Sequence, residues 1–140
     1  RPAWKWSEKP GVPTDDRIEL LTHDRDRYAD ELWWRAARPE IVMGPASWGW
    51  LAGALSSTRQ MQAPGVLERV TTPVLMLATS DDRLVEFGAI ERAAARLLHG
   101  ELVRFGAESR HEILREADPV RAIAIQAIDD FLDRTASRRD

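Results

Sequence analysis

The spacing of hydrophobic residues differs between the two halves of the chain, and in the first half it predicts helices. One helix is predicted in THDRDRYADELWWRAARP, where acidic residues fill the first turn and Pro39 ends the pattern. A shorter helix is predicted in SWGWLAGALSS, with Ser47 as its N-cap, and the apolar loop PEIVMGP is expected to pack between the two. Each helix has one apolar face: Tyr28, Leu32, Trp33 and Ala36 in the first, and Trp48, Leu51, Ala52 and Leu55 in the second. Packing against a core is the ordinary role of such faces.

Short apolar strands alternate with helices in the second half. The run from Val74 to Ala78, which Pro73 precedes and the turn formers Ser80 and Asp81 follow, predicts a strand buried on both faces. FGAIERAAARLLHG predicts a helix with Gly100 as its C-cap, and ELVRF predicts a second strand. The last helix is predicted in DPVRAIAIQAIDDFLDR, with Asp118 as N-cap, Pro119 as first helical residue, and one stripe formed by Ile123, Ala127, Ile128 and Phe131.

The order strand, helix, strand, helix at this spacing predicts a right-handed βαβ unit with parallel strands. Two parallel strands do not form a stable sheet alone, so further strands are expected to complete it. The fold class predicted for the chain is therefore α/β.

Composition narrows the classes of function. With 140 residues, the chain has the size of one domain, and its 20 Lys and Arg against 23 Asp and Glu give a net charge of −3 and no basic surface for nucleic acid. Because the chain has no cysteine, it offers neither a thiolate metal site nor a cysteine nucleophile. No apolar run is long enough to span a bilayer. All six tryptophans lie in the first 50 residues, so aromatic content separates the two halves.

Two polar loops are expected to meet at one edge of the sheet. SDDRLV follows the first strand and GAESRHEIL follows the second, and the carboxyl ends of parallel strands share one edge, where chemistry gathers in α/β proteins. An aspartate of the first loop can therefore face His111 of the second. A carboxylate that accepts the Nδ1 proton of an imidazole fixes its tautomer and stabilises the imidazolium that forms when Nε2 takes a proton.

Plainer interpretations of the same residues stay open. A histidine in a loop is commonly a solvated surface residue, as His23 and His99 are expected to be near helix ends. Asp81 and Asp82 are equally typical of an Asx turn after a strand.

The chain resembles the C-terminal part of α/β-hydrolases of the lysophospholipase and monoacylglycerol-lipase type. The resemblance lies in TPVLMLATSDDRLV, in SRHEILREAD and in the closing amphipathic helix. In the first half, LTHDRDRY and GPASWGWL are similar to the cap segment of bacterial lysophospholipase-like members. The implied fold is the C-terminal portion of an α/β-hydrolase, with parallel strands and flanking helices, preceded by a helical cap. Residues 1–66 correspond to the cap or lid and residues 67–140 to the core.

The resemblance also implies residue roles. Asp82, which directly precedes Arg83, matches the acid of a Ser-His-Asp triad, and His111 matches its base. Residues next to the substrate pocket would be Trp48, Gly49, Trp50, Leu84 and Val85. No metal or organic cofactor is implied. The implied partners are a small lipid or ester substrate, the N-terminal half of the hydrolase and, through the cap, transiently a membrane surface; the implied location is the cytoplasm or the inner-membrane periphery.

One family motif is absent from this sequence. The nucleophile of the family lies in a G-x-S-x-G turn ahead of the acid and the base, and none of the seven serines here has that glycine frame. The chain also begins RPAWKWSEKPGVP, without methionine. We therefore expect a preceding N-terminal half to hold the serine and the oxyanion hole, although a processed or engineered terminus would look the same.

Two other classes of function remain as alternatives. The chain could be a non-catalytic interaction module or a decayed hydrolase half that persists with a partner. A response-regulator-like signalling domain is less consistent with the sequence, because such domains use a lysine and the only lysines here are Lys5 and Lys9.

Overall fold

A computed structural model describes residues 15–42 and 46–136, with side chains from residue 17 onward. Trp4, Trp6 and residues 43–45 of the apolar loop lie outside the described residues. The helices are α1 (Asp15–Leu21), α2 (Arg25–Ala37), α3 (Trp48–Gln62), α4 (Phe87–Arg96) and α5 (Asp118–Ala136). The strands are β1 (Val74–Thr79) and β2 (Gly100–Phe105), and short 3-10 turns cover Pro39–Ile41, Leu67–Arg69 and Ile113–Arg115. None of the helices among the described residues is both long enough and apolar enough to cross a membrane.

The two strands form a parallel pair. Their register runs from Val74 opposite Gly100 to Thr79 opposite Phe105, and α4 connects them. The predicted strand–helix–strand unit and its α/β class are confirmed. The prediction that β1 is buried on both faces is wrong for its first four residues, which are half-buried, because within the described residues only β2 pairs with it.

Two separate apolar clusters organise the described residues. The larger one lies where β2 ends, and it joins the buried residues Phe105, Ile113 and Ala124 to the partly buried Leu77, Val103 and Val120. The other one lies between α1 and α2 and contains Ile18, Leu21 and Tyr28, with Leu32 against it. The first cluster therefore holds β2, the turn at Ile113–Arg115 and α5 together at the edge of the sheet where the two polar loops emerge.

The buried face of α5 differs from the predicted stripe. Ala124 and Phe131 are buried, whereas Ile123 is 58% exposed. The small Ala124 lets α5 approach Phe105 and Ile113, which turns the neighbouring Ile123 outward. The helix also begins one residue early: the N–H of Arg121 bonds the carbonyl of Ala117, and the Asp118 carboxylate pairs with Arg27 instead of capping the helix. Pro119 is accordingly the second helical residue.

The prediction that Gly100 caps α4 is wrong, because Gly100 is the first residue of β2. The helix ends at Arg96, and the N–H of Leu97 bonds the carbonyl of Ala94. A Cβ on Gly100 would lie 2.6 Å from the Ala94 oxygen and 2.8 Å from the Cβ of Leu97. Glycine is therefore required here by the close approach of β2 to the end of α4 and not by a helix cap.

We expect Gly100→Ala to lower the free energy of unfolding by about 1–3 kcal/mol, because backbone must move to admit the methyl group. Gly53→Ala is the matched control: nothing lies within 4 Å of its Cβ position in α3, and alanine there should stabilise by about 0.5–1 kcal/mol. Thermal unfolding of the two variants measures both effects. Equal melting temperatures for the two would contradict the close approach at Gly100.

α3 is fixed at its two ends but exposes most of its side chains. The Ser47 hydroxyl accepts the Trp50 N–H at 3.1 Å, which confirms the predicted N-cap. At the other end, the Arg96 guanidinium donates to the carbonyls of residues 61–63 and to the Glu68 carboxylate, whose pKa this side-chain bond lowers to about 2. Trp48 and Leu55 of the predicted apolar face are 58% and 53% exposed, so the expectation that this face packs against a core is wrong for these two residues. Trp50 is 63% exposed.

Candidate functional site

The last residue of β1 joins the two loops at the carboxyl edge of the sheet. Thr79 is buried, and its hydroxyl lies 2.8 Å from the carbonyl oxygen of Gly106 and 3.0 Å from that of Ser109, so its proton is shared between them. The same oxygen accepts the Asp81 N–H, and the Ser80 N–H bonds the Phe105 carbonyl. The first loop, residues 80–86, and the second, residues 106–112, are thereby fixed relative to each other.

Asp82 and His111 meet across these loops. The Nδ1 atom of His111 lies 2.8 Å from Oδ2 of Asp82. The other carboxylate oxygen, Oδ1, accepts the N–H groups of Leu84 at 2.8 Å and Val85 at 3.1 Å. The predicted Asx turn and the predicted acid–histidine contact are thus both present in one side chain, because each oxygen serves one of them.

The protonation state of the pair follows from the chemistry of Asp82. Burial raises the pKa of this carboxyl, but the hydrogen bonds from His111, Leu84 and Val85 together hold it below its ordinary value of 3.8. An ionised carboxylate only accepts, so Nδ1 of His111 carries the proton that it donates. The Asp82 side chain is 6% exposed and that of His111 37%, and within the described part of the chain Nε2 makes no hydrogen bond. The arrangement therefore presents an oriented imidazole that can take a proton at Nε2.

A second ion pair runs parallel to the first. The Arg110 guanidinium bonds the carboxylate of Asp81, so adjacent residues of one loop pair with adjacent residues of the other. Ser109, which precedes Arg110, is fully buried, and its hydroxyl donates to the Arg110 carbonyl. This serine is a structural group of the loop and is not presented toward His111.

A buried carboxylate, Glu116, lies behind the loop that carries His111. It is 1% exposed and accepts the backbone N–H of Arg110 at 2.7 Å and that of His23 at 3.1 Å. The Nδ1 atom of His23 lies 3.2 Å from the same carboxylate. His23, expected to be a solvated residue, therefore connects the α1–α2 junction to the histidine loop.

A cavity of about 790 Å³ opens beside His111. It is lined by Leu77 of β1, by His111 to Arg115, and by Arg27, Asp30 and Arg121. None of the predicted pocket residues, Trp48, Gly49, Trp50, Leu84 and Val85, is among these lining residues, and all five are exposed. Their role next to a substrate stays a prediction.

Sequence reasoning missed the residues that hold the pair in place, namely Thr79, Arg110 and Glu116. One signal was present for the first, because a threonine directly after five apolar residues is a polar group at the buried end of a strand. Glu116 looks in the sequence like one more charge of a polar loop. Its burial depends on how α1 and α2 pack, which no local pattern shows.

Comparison with known proteins gives two kinds of similarity. No protein-family model matches the chain. Two curated proteins, each called lysophospholipase L2, one from Escherichia coli strain K12 and one from Escherichia coli O6:H1, are 34% identical to it over 125 residues. The match covers 84% of this chain but 36% of each relative, so the chain spans about a third of the length of these proteins.

A solved structure has a similar fold. It is that of a soluble variant of monoglyceride lipase from Saccharomyces cerevisiae in complex with a substrate analogue, and it superimposes with a TM-score of 0.64 over 89% of this chain and 43% of the lipase. The sequence identity is 16%, so the likeness concerns the fold alone, which is that of an α/β-hydrolase.

Proposed function

The chain corresponds to the C-terminal part of α/β-hydrolases of the lysophospholipase and monoacylglycerol-lipase type, and on this premise we propose that it supplies the acid and the base of a serine ester hydrolase. The single observation that carries the proposal is the 2.8 Å contact between His111 Nδ1 and Asp82 Oδ2 at the carboxyl edge of parallel strands. The nucleophilic serine would come from a part of the whole protein outside this chain.

The proposed reaction follows from the free Nε2 of His111. This atom takes the proton of the serine hydroxyl as the serine oxygen attacks the ester carbonyl, and Asp82 stabilises the imidazolium that forms. The imidazolium then gives the proton to the leaving alcohol as the ester C–O bond breaks. Water attacks the acyl-enzyme in the same way, and the acid product is released. Every proton step passes through His111, and neither a metal nor an organic cofactor is invoked.

The proposed substrate is a lysophospholipid or a monoacylglycerol-like ester, by likeness to proteins with those names. We further propose that residues 1–66 form a cap over the acyl chain and that residues 67–140 belong to the core. The exposed Trp48 and Trp50 on α3 support contact of this cap with an acyl chain or transiently with a membrane surface, because tryptophan is favoured at lipid–water boundaries.

The proposed function is tested by labelling the whole protein with a serine-reactive fluorophosphonate and assaying release of fatty acid from a lysophospholipid and a monoacylglycerol. We expect one labelled serine outside residues 1–140 and hydrolysis of at least one of the two esters. A whole protein that folds but neither labels nor hydrolyses would instead support the non-catalytic module.

A further inference from the structure

We infer that Glu116 is a positioning residue for His111 and that it acts through the backbone N–H of Arg110. The inference rests on the proposed function, because the position of His111 matters to a reaction only if His111 is its base. Glu116 is almost fully buried, and its side chain makes no hydrogen bond to the His111 ring, which is paired with Asp82. Its hydrogen bonds go instead to the backbone that carries His111 and to His23.

The contacts of Glu116 fix one conformation of its side chain. One oxygen, Oε1, accepts the Arg110 N–H at 2.7 Å, and the other, Oε2, accepts the His23 N–H at 3.1 Å. A buried carboxylate is tolerated only while such donors compensate the loss of water. Movement of the Arg110 backbone would remove the shortest hydrogen bond of the carboxylate and leave the Arg110 N–H without this partner, so the bond holds the loop at this point.

The bond between Glu116 and Arg110 closes a short loop around His111. Inside it, the Arg115 N–H bonds the Glu112 carbonyl at 2.7 Å, and the Glu116 N–H bonds the Ile113 carbonyl at 3.2 Å. The closing bond lies at the residue directly before His111. The imidazole is therefore held from two directions, at its backbone by Glu116 and at its ring by Asp82.

The α1–α2 junction, residues 21–23, braces the same loop from outside. The Leu21 carbonyl accepts the Glu112 N–H at 2.8 Å, and the Thr22 hydroxyl donates to the Arg115 carbonyl at 3.0 Å. Together with the bonds from His23, these contacts place Glu116 between the junction and the loop. The Glu116 side chain bonds both the junction, at His23, and the loop, at Arg110.

The test is Glu116→Gln in the whole protein. The amide keeps the shape and can still accept from Arg110, but its NH2 group then faces the donor N–H of His23, so both bonds cannot be kept. We expect kcat to fall about 10- to 100-fold with KM changed less than about twofold, because a loosened base affects the reaction and not binding. The matched control is Glu108→Gln. Glu108 has an exposed carboxylate in the loop of residues 106–112, where it accepts the Gly106 N–H, and we expect near-native kcat for this variant.

A second readout needs no substrate. The Nδ1 proton of a histidine bonded to a carboxylate gives a separate low-field proton resonance, which Asp82→Asn assigns by removing it. We expect this resonance in the native protein and in Glu108→Gln, and expect it broadened or lost in Glu116→Gln. If the resonance is lost in Glu116→Gln while the native protein hydrolyses no ester, the proposed function fails but the positioning of His111 by Glu116 stands.

Unchanged kcat and an unchanged Nδ1 resonance in folded Glu116→Gln would overturn the inference. If that variant does not fold, Glu116→Asp asks the same question, since its carboxylate is one methylene shorter and cannot reach both donors; the same loss of kcat and resonance is expected. Failure of both variants to fold would assign Glu116 to the stability of the fold and would equally overturn a positioning role.

Discussion

Ester hydrolysis by the whole protein is expected to fall by at least about 10⁴-fold when His111 is replaced by alanine, because every proton transfer of the proposed reaction passes through its Nε2 atom. Labelling by a fluorophosphonate should fall with it, since the serine is then no longer deprotonated. Initial rates on a lysophospholipid and on a monoacylglycerol measure the loss, and the time course of labelling measures it independently of substrate binding.

The matched control for His111→Ala is His99→Ala. His99 is an exposed residue before β2, and its backbone carbonyl accepts the Val74 N–H. The control should retain the native rate. Native labelling in the folded His111→Ala variant would show that His111 is not the base.

Asp82→Asn is expected to lower kcat by about 10³- to 10⁴-fold through the tautomer of His111. The asparagine oxygen can still accept the N–H groups of Leu84 and Val85, which leaves the NH2 group facing Nδ1 of the imidazole. A donor at that place selects the tautomer with the proton on Nε2, which cannot accept a proton from serine. Asp81→Asn, which leaves the Asp82 contact intact, should cost less than about tenfold, because its partly exposed ion pair with Arg110 is weak. Equal losses in the two variants would contradict the tautomer explanation.

The same substitution has a pH-dependent effect on stability. The pKa of Asp82 in the folded protein lies below 3.8, so its charged form stabilises the fold fully above the ordinary carboxyl pKa and progressively less as pH falls through the lowered value. The difference in melting temperature between the native protein and Asp82→Asn is therefore expected to shrink as the pH falls below about 4. A difference that stays constant down to about pH 2 would show that the carboxylate charge is not involved.

The parts of the fold that the sequence predicted are those that depend on local pattern. The apolar run of β1 and the serine before α3 act within a few residues, so the strand and the cap were found. The wrong details concern packing between distant elements. Gly100 resembles a helix C-cap in the sequence, but the close approach of β2 to Ala94 is what requires it. The buried face of α5 contains Ala124, which packs in one cluster with Phe105 and Ile113.

The candidate site also contains residues that the sequence could predict and residues that it could not. Asp82 and His111 could be expected to meet, since parallel strands deliver their following loops to one edge and the two residue types suit each other. Glu116 could not, because its partner His23 comes from a distant part of the chain and its burial arises only after α1 and α2 have packed. Residues that react carry a chemical signature, whereas those that hold them are identified by their surroundings.

The distribution of tryptophan has a consequence for how this protein is observed in solution. Trp33 and Trp34, in edge-to-face contact on α2, and Trp48 and Trp50 on α3 are all exposed, and no tryptophan follows residue 50. These four tryptophans are already largely in contact with water before unfolding, so their fluorescence reports on α2 and α3 and not directly on β1 and β2. Acrylamide quenching of Trp48 and Trp50 is therefore a test of the proposed contact between α3 and lipid, while unfolding of the sheet has to be followed by circular dichroism.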